Sequence, residues 1–180
     1  MRRALMLMMV LSTGCHRVSF EVDGERLIMN GTFNTKTPDA LRTVLEDNPG
    51  LTIAEMVYVP GSVDDVACLK AGRLAREHGL STLVPANGEI ASGGVDFFLS
   101  GVQRTVESGG LVGVHSWSQF GGPDGSELPR DDPEHTLYLD YLEEMGIDEA
   151  FYWFTLEAAA PEDIHWMTDK ELVSLGVVTP

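Results

Sequence analysis

Polar and apolar residues alternate from Arg17 to Val22, and after an Asp23-Gly24 turn the segment Arg26 to Phe33 continues in extended style. This pattern predicts a β-hairpin. Thr37-Pro38-Asp39 opens a helix, with Thr as cap and Pro at the first helical position. Ala40, Leu41, Val44 and Leu45 fall on one face, and Asn48-Pro49-Gly50 ends it. Ile53 to Val59 is rich in β-formers and reads as a strand. Ser62 and Asp65 have capping-box spacing before a helix whose core face is Val66, Leu69, Leu74 and Ala75, and which stops at Gly79. A strand over Ser81 to Val84, a helix over Val95 to Val102, and short strands over Thr105 to Glu107 and Leu111 to His115 follow. Strand and helix in alternation call for right-handed crossovers onto a mainly parallel sheet flanked by helices, an α/β fold.

The second half is more helical. Ser116 to Asp132 is a long Gly/Pro/Ser-rich connection, of a length uncommon except in functional or mobile loops. Glu134 to Met145 and Asp148 to Ala158 read as helices divided by Gly146. Thr168-Asp169-Lys170-Glu171 is a capping box for a last short helix, and Gly176 precedes a predicted terminal strand, Val177-Val178. No internal repeat or second domain is visible, and 180 residues suffice for one core.

The start of the chain has a separate logic. Met1-Arg2-Arg3 followed by the apolar run Ala4 to Leu11 has the layout of a signal peptide and is too short to span a bilayer as a mature helix. Ser12-Thr13-Gly14-Cys15 resembles the bacterial lipoprotein cleavage box, with Ser12 where an aliphatic residue is usual. Residues 1–15 are therefore read as a signal peptide with Cys15 as the lipidation site, and 16–180 as a single domain. The expected location is the periplasm or the cell envelope, with the membrane touched only through the lipid anchor. That leaves Cys68 without an intrachain partner, as a small buried apolar residue.

Charge narrows the partners. Twelve Lys and Arg against 28 Asp and Glu give a formal net charge of −16, which argues against nucleic acid or an anionic membrane surface. His78 at a helix C-terminus suits the dipole, His16 lies beside the processing site, and His135 and His165 have no partner at metal spacing. With no His-Glu-x-x-His, Cys-x-x-Cys or phosphate-cradling glycine loop, neither metal nor other cofactor is expected.

The candidate chemistry gathers at Gly88-Glu89-Ile90-Ala91-Ser92-Gly93-Gly94. Glycines there admit a close backbone approach, and a serine at a helix start sits beside unpaired N–H donors. Ser92 is equally a good N-cap, so the local pattern leaves both readings open.

Three stretches together resemble the Clp protease/crotonase-like superfamily, in particular its small exported members related to the Clp proteolytic subunit. Val57-Tyr58-Val59-Pro60-Gly61-Ser62-Val63 is similar to the strand and turn that give a backbone donor to the oxyanion. Gly88 to Gly94, the apolar helix and Gly101-Val102-Gln103-Arg104 resemble the nucleophile turn, its helix and the Gly-x-x-Arg after it. Leu111-Val112-Gly113-Val114-His115 resembles the strand ending in the general base. Trp166 to Val178 fits the family's ending. The likeness implies a ClpP/crotonase-like βαβ superhelix, self-association into a homo-oligomer, and a peptidase-like serine hydrolase acting on a peptide or protein. Carried over, Ser92 is the nucleophile, His115 the base, and Gly93 with Gly61 or Ser62 the oxyanion donors.

The chain departs from the pattern in two places. The glycine pair of the oxyanion turn is reduced to Gly61, and Ala158-Ala159-Ala160 stands where the Clp subunit carries its triad aspartate. Asp163, with Glu157 and Glu162 as alternatives, is the candidate to orient His115. These departures motivate the alternative of a non-catalytic envelope lipoprotein that uses the fold for binding or assembly. An acyl-CoA enzyme of the crotonase type ranks third, since a Ser/His pair is not that branch's usual equipment. Trp117 and Phe120 are candidates for a substrate groove, with packing under the loop equally weighted, and Tyr152-Trp153-Phe154 is read as packing.

Overall fold

A computed structural model describes residues 17–118 and 122–180. Cys15, His16 and Phe120 lie outside the described residues. The chain runs β1 (Ser19–Asp23), β2 (Arg26–Asn30), α1 (Thr37–Asp47), β3 (Ile53–Val59), α2 (Asp65–His78), β4 (Ser81–Val84), β5 (Glu89–Ala91), α3 (Gly93–Leu99), β6 (Arg104–Val106), β7 (Leu111–Val114), α4 (Thr136–Met145), α5 (Glu149–Ala158), β8 (His165–Trp166) and α6 (Asp169–Ser174).

The predicted hairpin forms, with β1 and β2 antiparallel through the Asp23–Arg26 pair and Gly24 turning at φ 59°. From β2 inward the sheet is parallel, as the alternation of strand and helix requires. Its centre is a fork at β3. Ile53 to Glu55 pair with β4, whereas Tyr58 and Val59, beyond them on the same strand, pair with β5. β4 continues to β6 and β5 continues to β7, both parallel, and β8 closes the β7 edge antiparallel. The fork sends the end of β5, and the turn after it, toward the exit of β3. The core under the fork is apolar: Leu27, Met29, Met56, Leu69, Phe97 and Phe98 are fully buried, and the Phe33 and Phe97 rings pack 5.0 Å apart.

Several boundaries differ from the sequence expectation for local reasons. Asp64, not Ser62, caps α2 by accepting from the Ala67 N–H at 2.9 Å, which frees the Ser62 hydroxyl to donate to Asp65. Thr37 is the first residue of α1 rather than its cap, and its buried hydroxyl accepts from the Asn34 N–H. α3 ends at Leu99, earlier than its apolar run suggests. Thr82 Oγ1 donates to the Phe98 carbonyl at 2.7 Å, and a Cβ on Gly101 would overlap that same hydroxyl. β5 and β8 are too short for periodicity to reveal.

The predicted strand at Val177-Val178 does not form. Buried Arg104 holds the tail instead, donating from Nε to the Val177 carbonyl at 2.8 Å, from Nη2 to Gly176 at 3.1 Å and from Nη1 to Gly101 at 3.2 Å. Among the described residues of the long connection, a 3-10 turn at Gly125–Glu127 is seated on Trp117, whose carbonyl accepts from the Gly125 N–H. Among the described residues no helix is long and apolar enough to cross a membrane.

The Arg104 fan makes a testable claim. Lys cannot reach three carbonyls with one ammonium, so Arg104→Lys is expected to cost about 1–3 kcal/mol in chemical denaturation. It is also expected to release the tail, read as faster amide exchange at Val177 and Thr179.

Candidate active site

Ser92 joins β5 to α3 in an unusual backbone conformation, φ 52° and ψ −129°. Among the described residues it is the sole non-glycine with positive φ, a state that costs on the order of 1–3 kcal/mol unless its surroundings impose it. They do so from both sides. The Ser92 N–H extends the parallel ladder by donating to Gly113 at 3.1 Å, and the Ser92 carbonyl starts α3 by accepting from Val95 at 2.7 Å. The side chain makes no capping hydrogen bond. The choice left open by the sequence is thus resolved against a capping role for the hydroxyl, which is left free at a sharp strand-to-helix turn.

The turn after β3 meets this one at contact distance. Gly61 has φ 148°, and a Cβ there would lie 3.3 Å from Ser92 Cβ and 3.6 Å from Ser92 Oγ. A Cβ on Gly93 would come within 2.6 Å of Ser62 Oγ, and one on Gly94 would overlap the Val59 carbonyl oxygen. The two turns therefore touch only because side chains are missing. The Gly93 N–H is in the first turn of α3 and has no intrahelical acceptor. Neither it nor the Gly61 N–H donates to a backbone acceptor among the described residues. The Gly93 carbonyl, in contrast, accepts from the buried thiol of Cys68 at 3.0 Å, and burial raises that thiol's pKa well above its ordinary value.

His115 follows directly on β7. Its Nδ1 lies 2.8 Å from the Ser116 carbonyl. A carbonyl can only accept, so Nδ1 carries the proton and Nε2 presents a lone pair. Ser92 and His115 line one cleft of about 50 Å³. No direct hydrogen bond joins them in this unliganded geometry; such bonds commonly tighten only when substrate is bound.

The candidate acids lie elsewhere. Glu157 is exposed on α5 and pairs with Arg130 at 3.2 Å, and Glu162 and Asp163 are exposed beyond that helix. None lines the cleft. Along Ala158-Ala159-Ala160 it is the Ala159 carbonyl that approaches, accepting from the Ser116 N–H at 2.9 Å. A backbone carbonyl, not a carboxylate, therefore orients the imidazole.

Two aspartates to which the sequence reading gave no part in the site do line the cleft: Asp65, read there as half of a capping box, and Asp96. Asp65 is fully engaged: one oxygen accepts from Ser62 and the other from the Tyr138 hydroxyl at 2.6 Å, which links the Gly61-Ser62 turn to α4. Burial and the Asp65 charge raise the Tyr138 pKa strongly. Asp96 stands one helical turn after Ser92, on the same face of α3. Burial, with Asp65 as the second cause, pushes its carboxyl up to about 7. The i, i+4 spacing was the available signal, masked by the apolar residues around it.

The outer wall rests on a buried relay. Trp117 Nε1 donates to the Tyr152 hydroxyl at 2.8 Å, and that hydroxyl lies 2.7 Å from His135 Nδ1. His135 Nε2 faces the Pro129 carbonyl at 3.1 Å, so Nε2 carries the proton and Tyr152 donates to Nδ1. Burial pushes Tyr152 up to about 12. His135 is thus a satisfied core histidine. Trp117 and Tyr152 both pack and face the cleft. His165 pairs with Glu171 at 3.2 Å and His78 meets the Leu51 carbonyl, so each of these histidines has a structural partner. Among the described residues no cluster of His, Cys, Asp and Glu is arranged to hold a metal ion.

The forked parallel sheet with its flanking helices is the fold of the Clp protease/crotonase-like superfamily. Particular structures show this likeness. The 1510-N membrane-bound stomatin-specific protease, as a serine-to-alanine mutant, superposes with TM-score 0.53 at 16% identity, covering 84% of this chain and 75% of that one. DspI of Pseudomonas aeruginosa superposes with TM-score 0.55 at 13% identity over 91% of this chain and 72% of that one. An enoyl-CoA hydratase from Polaromonas sp. JS666 gives 0.50 at 14% identity over 89% and 68%. No family model matches the sequence, and no curated protein does.

Asp96 carries a pH signature. It faces Asp65 and Cys68 from α2, Tyr138 and Tyr141 from α4, and shares the cleft with His115 and Tyr152. A carboxyl whose folded value lies above its ordinary 3.8 contributes full stability at low pH and loses it as pH rises from about 4 to about 7. Asp96→Asn is expected to remove that loss and to stabilise the protein at pH 8 by on the order of 3 kcal/mol, measured by denaturant titration across pH 4–8.

Proposed function

We propose that the protein is a peptidase-like serine hydrolase acting by acyl transfer. The observation that carries this reading is the backbone of Ser92, held at positive φ with its hydroxyl free of any cap and facing the Gly61 turn. Ser92 Oγ attacks the acyl carbonyl carbon while His115 Nε2 takes its proton, and the oxyanion is received by the N–H groups of Gly93 and Gly61. His115 then returns the proton to the leaving group, and a water deprotonated by the same nitrogen releases the acyl group from Ser92. The Ser116 carbonyl fixes the productive tautomer but supplies less charge to the imidazolium than a carboxylate does, so turnover is expected to be slow for the class. Two of the structural neighbours bear on this reading as the stomatin-specific protease, one of them solved with a substrate peptide as a lysine-to-alanine mutant. Peptide or protein substrates are accordingly the class proposed here, with self-association.

The signal-like N-terminus supports an exported protein of the periplasm or envelope, anchored through lipid on Cys15. Metabolic labelling with an alkyne fatty acid is expected to tag the protein in a bacterial host and to be lost in Cys15→Ala.

The carbonyl at His115 Nδ1 also favours a second reading, a non-catalytic envelope lipoprotein in which the fold serves binding or assembly. One measurement separates the two. A fluorophosphonate probe is expected to label the protein at Ser92, with labelling abolished in Ser92→Ala and slowed at least about 100-fold in His115→Gln. Equal labelling of the native protein and Ser92→Ala would leave the binding reading in its place.

A further inference from the structure

The cleft beside Ser92 has an unbalanced chemistry. Every hydroxyl or indole donor on its walls, apart from the reactive pair, is already committed to the protein. Tyr138 donates to Asp65, Tyr141 to the Asp96 backbone carbonyl at 2.9 Å, Trp117 to Tyr152, and Thr155 to the Tyr152 carbonyl at 2.8 Å. No lysine or arginine lines the space. The Asp96 carboxyl accepts no hydrogen bond from any described residue, although both oxygens of Asp65 beside it are satisfied. What the cleft offers an occupant is therefore one free carboxylate and aromatic surface, with the Trp117, Tyr138 and Tyr152 rings stacked in series at 5.7 Å spacings. Aromatic faces and a carboxylate attract the same thing, a cation.

The free space is about 50 Å³, room for a few waters or for the ammonium end of a slim chain whose stem lies along the open part of the cleft. We propose that this cleft is the specificity pocket of the site and takes a linear primary alkylammonium, of the kind a lysine side chain carries, with Asp96 as its counter-ion. The inference rests on the hydrolase reading for its role in catalysis, but not for binding itself. A cation there gives Asp96 the partner the protein withholds. It also offsets the repulsion between Asp96 and Asp65, which burial in the cleft otherwise leaves uncompensated. A neutral aliphatic group of the same shape would bury the carboxylate with nothing to pair it. Selectivity is thus built from an unsatisfied acceptor, which discriminates more steeply than apolar fit alone.

The test uses the full chain carrying Ser92→Ala, so that binding is read without turnover, and follows Trp117 indole resonances by NMR at pH 8 and low salt. n-Butylammonium is expected to bind saturably and at least about tenfold more tightly than 1-butanol, with Asp96→Asn erasing that preference. Equal affinity for the two probes, or a preference unchanged by Asp96→Asn, overturns the proposal. Should Asp96→Asn fail to fold, the preference measured with Asp96 in place decides alone. A parallel arm with the native protein compares labelling by an aminobutyl phosphonate ester and its pentyl counterpart. Ammonium-selective binding with neither ester reacting would retain the pocket and discard the hydrolase; reaction without ammonium preference would do the reverse.

Discussion

The closest constraint in the molecule is the contact between the Gly61-Ser62 turn and the Ser92-Gly93-Gly94 turn. Two backbones come this near where Cβ atoms are missing: a Cβ on Gly93 would strike the Ser62 side chain, one on Gly94 the Val59 carbonyl at the end of β3, and one on Gly61 would crowd Ser92. The approach is set up further back, by the fork in the sheet. Because β3 pairs with β4 along its first half and with β5 along its second, β5 ends beside the exit of β3. A register slip of one residue between β3 and β5 would turn the side chains of β5 to the opposite face and carry Ser92 away from Gly61. Strain at Ser92 is thus maintained by a parallel ladder on one side and a helix start on the other.

Around that contact the polar groups divide into those that build the site and those it leaves open. Asp65 builds: its two oxygens tie Ser62 to Tyr138 and so fasten the turn to α4. The Trp117–Tyr152–His135 relay builds as well, since it pins the loop after His115 to α5. Half-satisfied networks are costly in a low dielectric, which is why these chains end on carbonyls that complete them. Asp96 breaks the rule. It is half-buried and lines the cleft, yet its carboxylate takes no hydrogen bond from the described residues, and such departures from local consistency tend to mark functional ground.

The structural neighbours include a protease and an acyl-CoA enzyme on one framework, so the fold by itself does not select a chemistry. The site of this chain has its own character. The His115 imidazole is held by the Ser116 carbonyl, and the Ala159 carbonyl in turn accepts from the Ser116 N–H, so main chain rather than a carboxylate meets this ring. A carbonyl holds a tautomer almost as well as a carboxylate and stabilises a cation less, which is why the proposed hydrolysis is expected to be slow.

Much of this was legible in one dimension. Strand and helix alternation dictated the parallel sheet, because parallel strands need crossovers of that length, and the glycine-flanked Ser92, the Gly61 turn and the strand ending at His115 were visible as spaced local patterns. The strands at β5 and β8 were not, since two or three residues carry no periodicity. Val177-Val178 misled because β-propensity cannot anticipate that Arg104 will claim the tail's carbonyls. Asp96 was hidden within an apolar run whose helical face only the packed protein defines. The sequence by itself determined the order of elements, because that depends on local spacing and side-chain chemistry, and its resemblance to a known superfamily pointed to Ser92, His115, Gly61 and Gly93 as candidate nucleophile, base and donors. Tertiary structure alone decided whether Ser92 caps or projects, what stands behind His115, and which carboxylate is left facing the cleft, because each is a matter of contacts between segments far apart in the chain.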